Sequence, residues 1–264
     1  MASNNIEIRT LTTMEELYEV QKVEAAVWNM DPIPVHQTFT ALQNGGILLG
    51  AFDGKKMVGF LYSFPGFEYG SVHLCSHMLG ILPAYQTDGL GVKMKMKQAK
   101  IAKELGYPLI TWTFDPLESR NAYLNLHKLG ATGAIYAPDH YGSMNDGLNQ
   151  GLPSDRIQIK WYLHETKSKR HVQFDKHKLL LDVESNSIPV LTDFLKSADL
   201  GASDAFFVSI PMHFQAIKQH DFELAKLWRS KSRHAFQTLF KEGFQATDLL
   251  RDEYRSLSYY VFTR

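Results

Sequence analysis

The sequence predicts an α/β protein with a mixed β-sheet, and three observations lead to this fold class. Short apolar segments with the two-residue alternation of strands recur along the chain, between segments of helical periodicity. Asp53-Gly54 separates two apolar runs, residues 46–52 and 57–64, which is a strong β-hairpin signal. A glycine-containing turn at 86–91 leads from a strand into a helix. Together these signals predict a sheet flanked by helices.

Residues 1–166 contain most of the predicted strands. Ile6 and Ile8 alternate with polar residues in a short first strand, and Thr12 or Thr13 can cap the helix that follows. The other predicted elements of this part are strands at about 72–82, 109–114 and 157–161, and helices at about 89–105 and 119–130.

The sequence predicts that residues 167–264 form a smaller αβ extension. A helix at 221–241 places Trp228 and Phe236 on an apolar face and turns Arg229 toward solvent. A polar run at 165–171 precedes this part, and its strands are expected at 179–183, 205–210 and 257–262.

The composition excludes several classes of protein. The chain has 264 residues with 28 basic and 28 acidic side chains, and this balance argues against a sequence-independent grip on nucleic acid. A single cysteine, Cys75, excludes an internal disulfide and a cysteine-based metal cluster. No run approaches the roughly 18 apolar residues of a membrane span. We therefore expect a cytoplasmic protein with no nucleic-acid or membrane partner.

The most informative stretch is the turn Gln86-Thr87-Asp88-Gly89-Leu90-Gly91. Glycines let backbone N–H groups approach an anion, and the N-terminus of the following helix adds about half a positive charge. Five lysines follow between Lys93 and Lys103, before the first acidic residue, Glu104. The stretch is neither a Walker A loop nor a complete dinucleotide fingerprint. It predicts a site for a small phosphorylated ligand.

This turn resembles the Gln/Arg-x-x-Gly-x-Gly/Ala signature of the GNAT superfamily of acyl-CoA N-acyltransferases. Ile81-Leu82-Pro83 and Lys128-Leu129-Gly130 are similar to the family's strand end and helix end, in the same order and spacing. The resemblance covers about residues 6–164. It implies a twisted, mainly antiparallel central sheet with splayed strands and flanking helices, and it makes residues 1–166 the acyl-CoA-binding catalytic domain.

The resemblance also implies how acetyl-CoA or succinyl-CoA would be held as the co-substrate. Backbone N–H groups of the turn would bind the pyrophosphate, and the splayed strand end would pair with the pantetheine arm. The amine would attack the thioester directly, with an N–H near Ile81 stabilising the oxyanion and without a covalent enzyme intermediate. The cofactor-binding residues implied in this way are Leu79, Ile81, Leu82, Gln86, Thr87, Asp88, Gly89, Leu90, Gly91, Val92, Lys93, Ser119 and Asn121.

Two histidines on the central strand are candidates for the base. His73 and His77 are four residues apart and share one strand face, and a histidine titrates near neutral pH. His77 is nearer the expected thioester and is the predicted base, while a structural, hydrogen-bonded histidine is the alternative. A metal site at His73 and His77 would lack a third ligand nearby in the sequence, so we expect no metal.

The family's usual proton donor to the leaving thiolate is missing. Its tyrosine corresponds to Leu126 here, and the family's helix-start asparagine corresponds to Ser119. Tyr123, Asn125 and Tyr141 are the candidate substitutes.

Three further segments resemble a two-part subgroup of the GNAT superfamily that has a C-terminal extension. These segments are residues 115–122, 141–142 and 151–156. Some of this subgroup is linked to N-succinylation of amino acids, so Arg120 and Arg156 are candidate substrate-binding residues for carboxylates. The alternative is that Arg156 forms a structural ion pair or turn with its neighbour.

Three functions therefore stay open. The first is acyl transfer, acetyl or succinyl, to the primary amine of a small molecule such as an amino acid. The second is an acyl-CoA-binding module without turnover, and the third is transfer to a protein amine. The extension at 167–264 would complete the sheet, wall the acceptor pocket or form the surface of a homodimer.

Overall fold

The computed structural model describes residues 6–86, 89–142, 151–165, 172–184, 187–193, 200 and 203–264. The chain forms two compact units. The first contains Met1–Trp112 and Trp161–Glu165, and the second contains Thr113–Lys160 and Thr166–Arg264. The boundary predicted between residues 166 and 167 lies outside the described residues and stays a prediction.

Twelve strands, and six α-helices with both ends described, lie in these residues. The strands are β1 (Glu7–Thr10), β2 (Ile47–Asp53), β3 (Lys56–Glu68), β4 (Ser71–Ile81), β5 (Leu109–Phe114), β6 (Thr132–Ala137), β7 (Arg156–Tyr162), β8 (Leu179–Val183), β9 (Pro189–Leu191), β10 (Ala205–Pro211), β11 (Gln245–Asp252) and β12 (Leu257–Thr263). The helices are α1 (Met14–Trp28), α2 (Val35–Gln43), α3 (Leu90–Glu104), α4 (Ser119–Ala122), α5 (Phe214–His220) and α6 (Phe222–Lys241). A π-helical segment, Tyr123–Lys128, continues α4 where the sequence predicts an unbroken helix.

In the first unit the strands follow the order β1-β2-β3-β4-β5. The first four pair antiparallel, and β5 pairs parallel with β4. The predicted hairpin is confirmed, since Asp53 pairs with Lys56 and Gly54 has a φ of 57°, a conformation that glycine adopts without a Cβ clash. β3 and β4 form a second, longer hairpin.

Helix α1 begins after Thr13, one of the two predicted caps. The Thr13 side chain accepts a hydrogen bond from the Glu16 N–H, and the Glu16 side chain accepts one from the Thr13 N–H, which is a capping box. Leu17, Val20 and Val23 are buried in a cluster with residues of β2 and β3. The apolar face of α1 therefore forms part of the core of this unit.

In the second unit the strands follow the order β7-β6-β11-β12-β10-β8-β9. Neighbouring strands pair antiparallel, except that β8 and β10 pair parallel. Helix α6 buries the aromatic face that its periodicity predicts, including Trp228 and Phe236. The predicted α/β class with a mixed sheet is confirmed.

One expectation about α6 is wrong, because Arg229 does not face solvent. The residue is 3% exposed, and its Nη1 and Nη2 donate to the two carboxylate oxygens of Asp115 at 3.0 and 2.5 Å. Arg156 lies 3.8 Å from the same carboxylate. A buried guanidinium is tolerated when a carboxylate offsets its charge, and sequence periodicity cannot show a partner that lies 114 residues away.

None of the helices in the described residues is both long enough and apolar enough to pass through a bilayer.

Candidate active site

Strand β4 carries a β-bulge at His77. Tyr62 of β3 pairs with Met78, while the next residue, Ser63, pairs with Ser76. His77 is therefore an extra residue on β4 with no directly opposed residue on β3. A bulge bends its strand and re-aims the side chains around it, and bulges are common beside active sites.

His77 lies in the wall of a pocket of about 880 Å³ in the first unit. Tyr62, Phe64 and Pro65 of β3 form this wall with it. The opposite side is the outer face of α2, whose inner residues Val35 and Thr38 are buried in the core. The other residues that line the pocket are Ile33, His36, Gln37, Thr40, Ala41 and Asn44.

Two aromatic rings lie next to the His77 imidazole. The His77 ring centroid lies 6.2 Å from that of Tyr62 and 5.7 Å from that of Phe64, and the Tyr62 and Phe64 centroids are 6.0 Å apart. His77 keeps exposed surface, but these neighbours displace water, and this burial lowers its pKa below the ordinary 6.5. The imidazole is therefore neutral at pH 7, the form that accepts a proton.

Tyr62 brings a second polar group into the pocket. The residue is 4% exposed, and its hydroxyl makes no hydrogen bond to any of the described residues. Burial, with a smaller contribution from Cys75, raises the pKa of Tyr62, so the hydroxyl stays protonated at neutral pH. The hydroxyl is not one of the buried polar atoms that lack a partner in the described residues, so it reaches solvent and can hydrogen-bond a molecule in the pocket.

The C-terminal half of β4 has a hydrogen-bonding ladder on one side. Its ladder with β3 continues to Ile81, which pairs with Gly59. The ladder with β5 joins Leu74 to Ile110 and Cys75 to Thr111, and no later pair follows within the described part of this unit. Leu79, Ile81 and Leu82 lie beyond that point. An extended ligand can add to such a strand edge through backbone hydrogen bonds.

The phosphate-binding turn leads directly into α3. Gly89 caps the helix with a φ of 70°, and an added Cβ there would meet nothing within 4 Å. The first intrahelical bond joins the Lys93 N–H to the Gly89 carbonyl at 3.0 Å. The N–H groups of Leu90, Gly91 and Val92 therefore precede the helical ladder, as an anion site at a helix start requires.

The rest of the predicted turn is placed only in part. Gln86 donates from Nε2 to the Ile81 carbonyl at 3.0 Å, which ties the turn to the end of β4. Lys93 is exposed in the first turn of α3. Thr87 and Asp88 lie outside the described residues. The assignment of all these residues to coenzyme A stays a prediction.

The lysine run on α3 contains one buried member. Lys95 is 3% exposed, and its Nζ donates to Ser76 Oγ at 2.8 Å and lies 3.7 Å from the centroid of the Trp112 ring. Gln98 also hydrogen-bonds Ser76, at 2.9 Å. Burial lowers the pKa of Lys95 to about 7, although the nearby Cys75 acts in the opposite direction. An amine that titrates near pH 7 therefore lies beneath β4, bonded to Ser76, the residue before the bulge.

The pKa of Lys95 predicts a pH-dependent stability. An unfolded lysine titrates near 10.5, so between about pH 7 and 10.5 the unfolded chain binds the proton more tightly than the folded chain. Stability from this residue should therefore rise with pH across that window, by up to about 1.4 kcal/mol per pH unit. Lys95→Met should remove this slope in urea unfolding between pH 7 and 8.5. The exposed Lys103→Met is the control, and an unchanged slope in Lys95→Met would contradict the prediction.

Cys75 is half-buried, and burial raises the pKa of its thiol. A protonated thiol is a poor nucleophile, which agrees with a reaction that needs no covalent intermediate. No group of three histidine, cysteine, aspartate or glutamate side chains within the described ranges is placed to hold a metal ion.

The remaining predicted residues lie in the second unit. Ser119 is buried, with its Oγ 2.8 Å from that of Ser258, while Arg120 and Asn121 are exposed on α4. Tyr123 stacks on His127 with 4.4 Å between ring centroids. The Arg251 guanidinium also lies over the Tyr123 ring, 3.9 Å from its centroid. Asn125 is buried in the π-helical segment.

Two predicted residues of this unit meet each other. The Arg156 guanidinium carbon lies 5.2 Å from the centroid of the Tyr141 ring. The Tyr141 hydroxyl is 3.0 Å from Thr113 Oγ1, and Arg156 Nη1 donates to the Asp155 carbonyl at 2.8 Å. Arg156 is 7% exposed, and both its assignment to substrate binding and the structural alternative stay predictions.

Comparison with known families identifies the first part of the chain. Residues 11–131 match the family described as acetyltransferase (GNAT) family. This segment is a GNAT acetyltransferase domain. The predicted resemblance is confirmed for this segment, which is an acyl-CoA-dependent N-acetyltransferase domain.

Solved structures resemble the GNAT part of the chain at low identity. An N-acetyltransferase from Staphylococcus aureus Mu50 has a TM-score of 0.49 at 14% identity, covering 60% of this chain and 99% of that one. The protein yncA from Salmonella typhimurium, solved with its cofactor acetyl-CoA, has a TM-score of 0.49 at 17% identity and covers 62% and 98%. Arabidopsis thaliana Naa50, in complex with a bisubstrate analogue, has a TM-score of 0.48 at 12% identity and covers 59% and 97%. No curated protein sequence matches the chain.

Sequence reasoning missed the pocket of the GNAT domain. Tyr62 lies inside an apolar run and reads as a core residue, and the polar face of α2 reads as a solvated helix surface. Neither stretch carries a local motif. Only the pairing of β3 with β4 and the position of α2 bring these side chains to His77.

Proposed function

We propose that the protein transfers an acyl group from an acyl-CoA to the primary amine of a small molecule, and that the pocket at His77 holds this acceptor. The observation that carries the proposal is the position of the His77 imidazole, which lies at the bulge of β4 and lines a pocket of the GNAT domain. Acetyl is the favoured acyl group because the family is one of acetyltransferases. Succinyl is the alternative donor, and amino acids are among the candidate acceptors.

The chemistry needs few groups. Acetyl-CoA supplies the activated thioester, and the turn before α3 with the open edge of β4 would hold it. An ammonium cannot attack, so His77 would accept the proton that leaves the amine nitrogen. The N–C bond forms, the C–S bond breaks, and the coenzyme leaves as a thiolate that takes up a proton. Tyr123, Asn125 and Tyr141 stay predicted donors of that proton.

The experiment that tests this proposal has two stages. Thermal unfolding with coenzyme A, acetyl-CoA and succinyl-CoA should show stabilisation, since a ligand that binds the native state raises its apparent stability. Thiol release is then followed with a panel of small amines and with peptides that carry a free N-terminus. Binding without thiol release would favour the acyl-CoA-binding module, and release with peptides alone would favour a protein acceptor.

The turn gives a sharper test of coenzyme A binding. Valine at position 89 is strained at a φ of 70° by about 1–2 kcal/mol and would reshape the turn. Gly89→Val should therefore weaken coenzyme A binding about tenfold or more in calorimetric titration. Gly106, which follows α3, has a φ of 88° and is equally open, so Gly106→Val is a matched control for strain alone. Equal loss of binding in both variants would show that the turn has no special role.

A further inference from the structure

The pocket also carries information about the acceptor, and this inference rests on the proposed function. Its described side chains are aliphatic, aromatic, amide, hydroxyl or imidazole groups. None of these lining groups is a carboxylate, a lysine or an arginine. A carboxylate or a second ammonium bound here would lose water without gaining an opposite charge, which is costly.

The wall formed by Tyr62, Phe64 and His77 favours a flat, apolar ligand body. Aromatic rings pair with other rings in offset or edge-to-face arrangements, with centroids about 4.5–7 Å apart. An ammonium is also attracted to the face of an aromatic ring before it loses its proton. Both effects suit an aromatic amine.

The unpartnered hydroxyl of Tyr62 adds a polar requirement. The Tyr62 Oη makes no hydrogen bond within the described part of the chain, and it is not one of the buried polar atoms that lack a partner there, so it reaches solvent. A ligand that carries a neutral hydrogen-bonding group can replace the water at this hydroxyl. A site that is built to hydrogen-bond a substrate group discriminates against analogues that lack it.

We propose that the acceptor is an aromatic monoamine that bears a neutral hydrogen-bonding group, and that Tyr62 binds this group. This class excludes amino acids with a free carboxylate and polyamines as the preferred acceptors. Tyr62 is then a specificity-determining residue of the pocket, separate from the proton transfer at His77.

The test compares amines that differ by one group. With saturating acetyl-CoA, kcat/KM is measured for phenethylamine, for tyramine, which adds a ring hydroxyl, for tyrosine, which adds a carboxylate, and for spermidine. Tyramine should exceed phenethylamine about tenfold, and tyrosine and spermidine should lie at least about a hundredfold below tyramine. Preference for tyrosine or spermidine would overturn the inference.

Variants separate recognition from folding. Tyr62→Phe removes one oxygen and should lower kcat/KM for tyramine to the level of phenethylamine, which itself should not change. Tyr18→Phe, on the exposed surface of α1, should leave the ratio of the two amines as it is. Equal losses for both amines in Tyr62→Phe would assign the residue to structure and overturn the inference. If thiol is released only with other amine classes, this inference fails alone, whereas no release with any amine or peptide removes the proposed function as well.

Discussion

Replacing His77 with glutamine should lower kcat about a hundredfold and remove the acid limb of the pH–rate profile. General bases typically contribute 10²–10⁴-fold, and glutamine fills a similar volume without accepting a proton. Because burial lowers the pKa of His77, wild-type kcat/KM should rise with pH through a pKa below 6.5 and then level off. Stopped or continuous assays of thiol release between pH 5 and 8 measure both effects.

The control for His77 is the other histidine of β4. The His73 ring lies against Gly66, because a Cβ added at Gly66 would come within 2.4 Å of His73 Nε2, and His73 is not among the residues that line the pocket. His73→Gln should therefore keep the acid limb. A His77→Gln enzyme with a wild-type pH profile would remove His77 from the role of base, and equal binding of acetyl-CoA in both variants would show that the turn is intact.

Replacing Asp115 with alanine should reduce the free energy of unfolding by about 3–5 kcal/mol. The carboxylate accepts hydrogen bonds from both terminal nitrogens of Arg229 and lies 3.8 Å from Arg156. The side chains of Arg229 and Arg156 are 4% and 9% exposed. Without Asp115 these buried cations lose the charge that offsets their desolvation. Urea unfolding of the full chain measures the change.

Two further variants keep this prediction decisive. Glu223 and Lys226 form an exposed ion pair on α6, so Glu223→Ala should change stability by less than about 1 kcal/mol. The double variant Asp115→Leu with Arg229→Met replaces the buried pair by apolar groups and should recover part of the lost stability. If the loss of stability in the double variant equals the sum of the losses in the two single variants, Asp115 and Arg229 are not coupled.

Local sequence signals predicted the parts of the fold that short segments determine. Asp53-Gly54 specifies its hairpin through turn geometry, and Thr13 with Glu16 specifies a helix start through a capping box. Gly89 immediately precedes α3, as the glycine-containing turn predicted. Each of these features depends on a few consecutive residues, and the sequence contains the whole cause.

The features that the sequence did not reveal depend on distant residues. The bulge at His77 exists only in the register between β3 and β4, and the buried state of Lys95 depends on Ser76 and Trp112. Lysines at 93, 95 and 97 look alike in sequence, yet only the middle one is buried. Of the candidate site, sequence reasoning found the histidine and the turn, while Tyr62 and α2 required the tertiary structure.

Part of the family-matched segment folds within the second unit, which limits where this segment can be cut from the rest of the chain. The family-matched segment ends at residue 131, but residues 113–131 fold together with α6 and β11. Asp155, which is fully buried, is bound by Arg233 of the same helix. A shortened chain that stops at residue 165 would keep the family-matched segment. It would lose Arg229 and Arg233, the partners of Asp115 and Asp155, and β11, which pairs with β6. Recombination at that point should therefore leave the buried carboxylates of Asp115 and Asp155 without these arginines and destabilise the second unit.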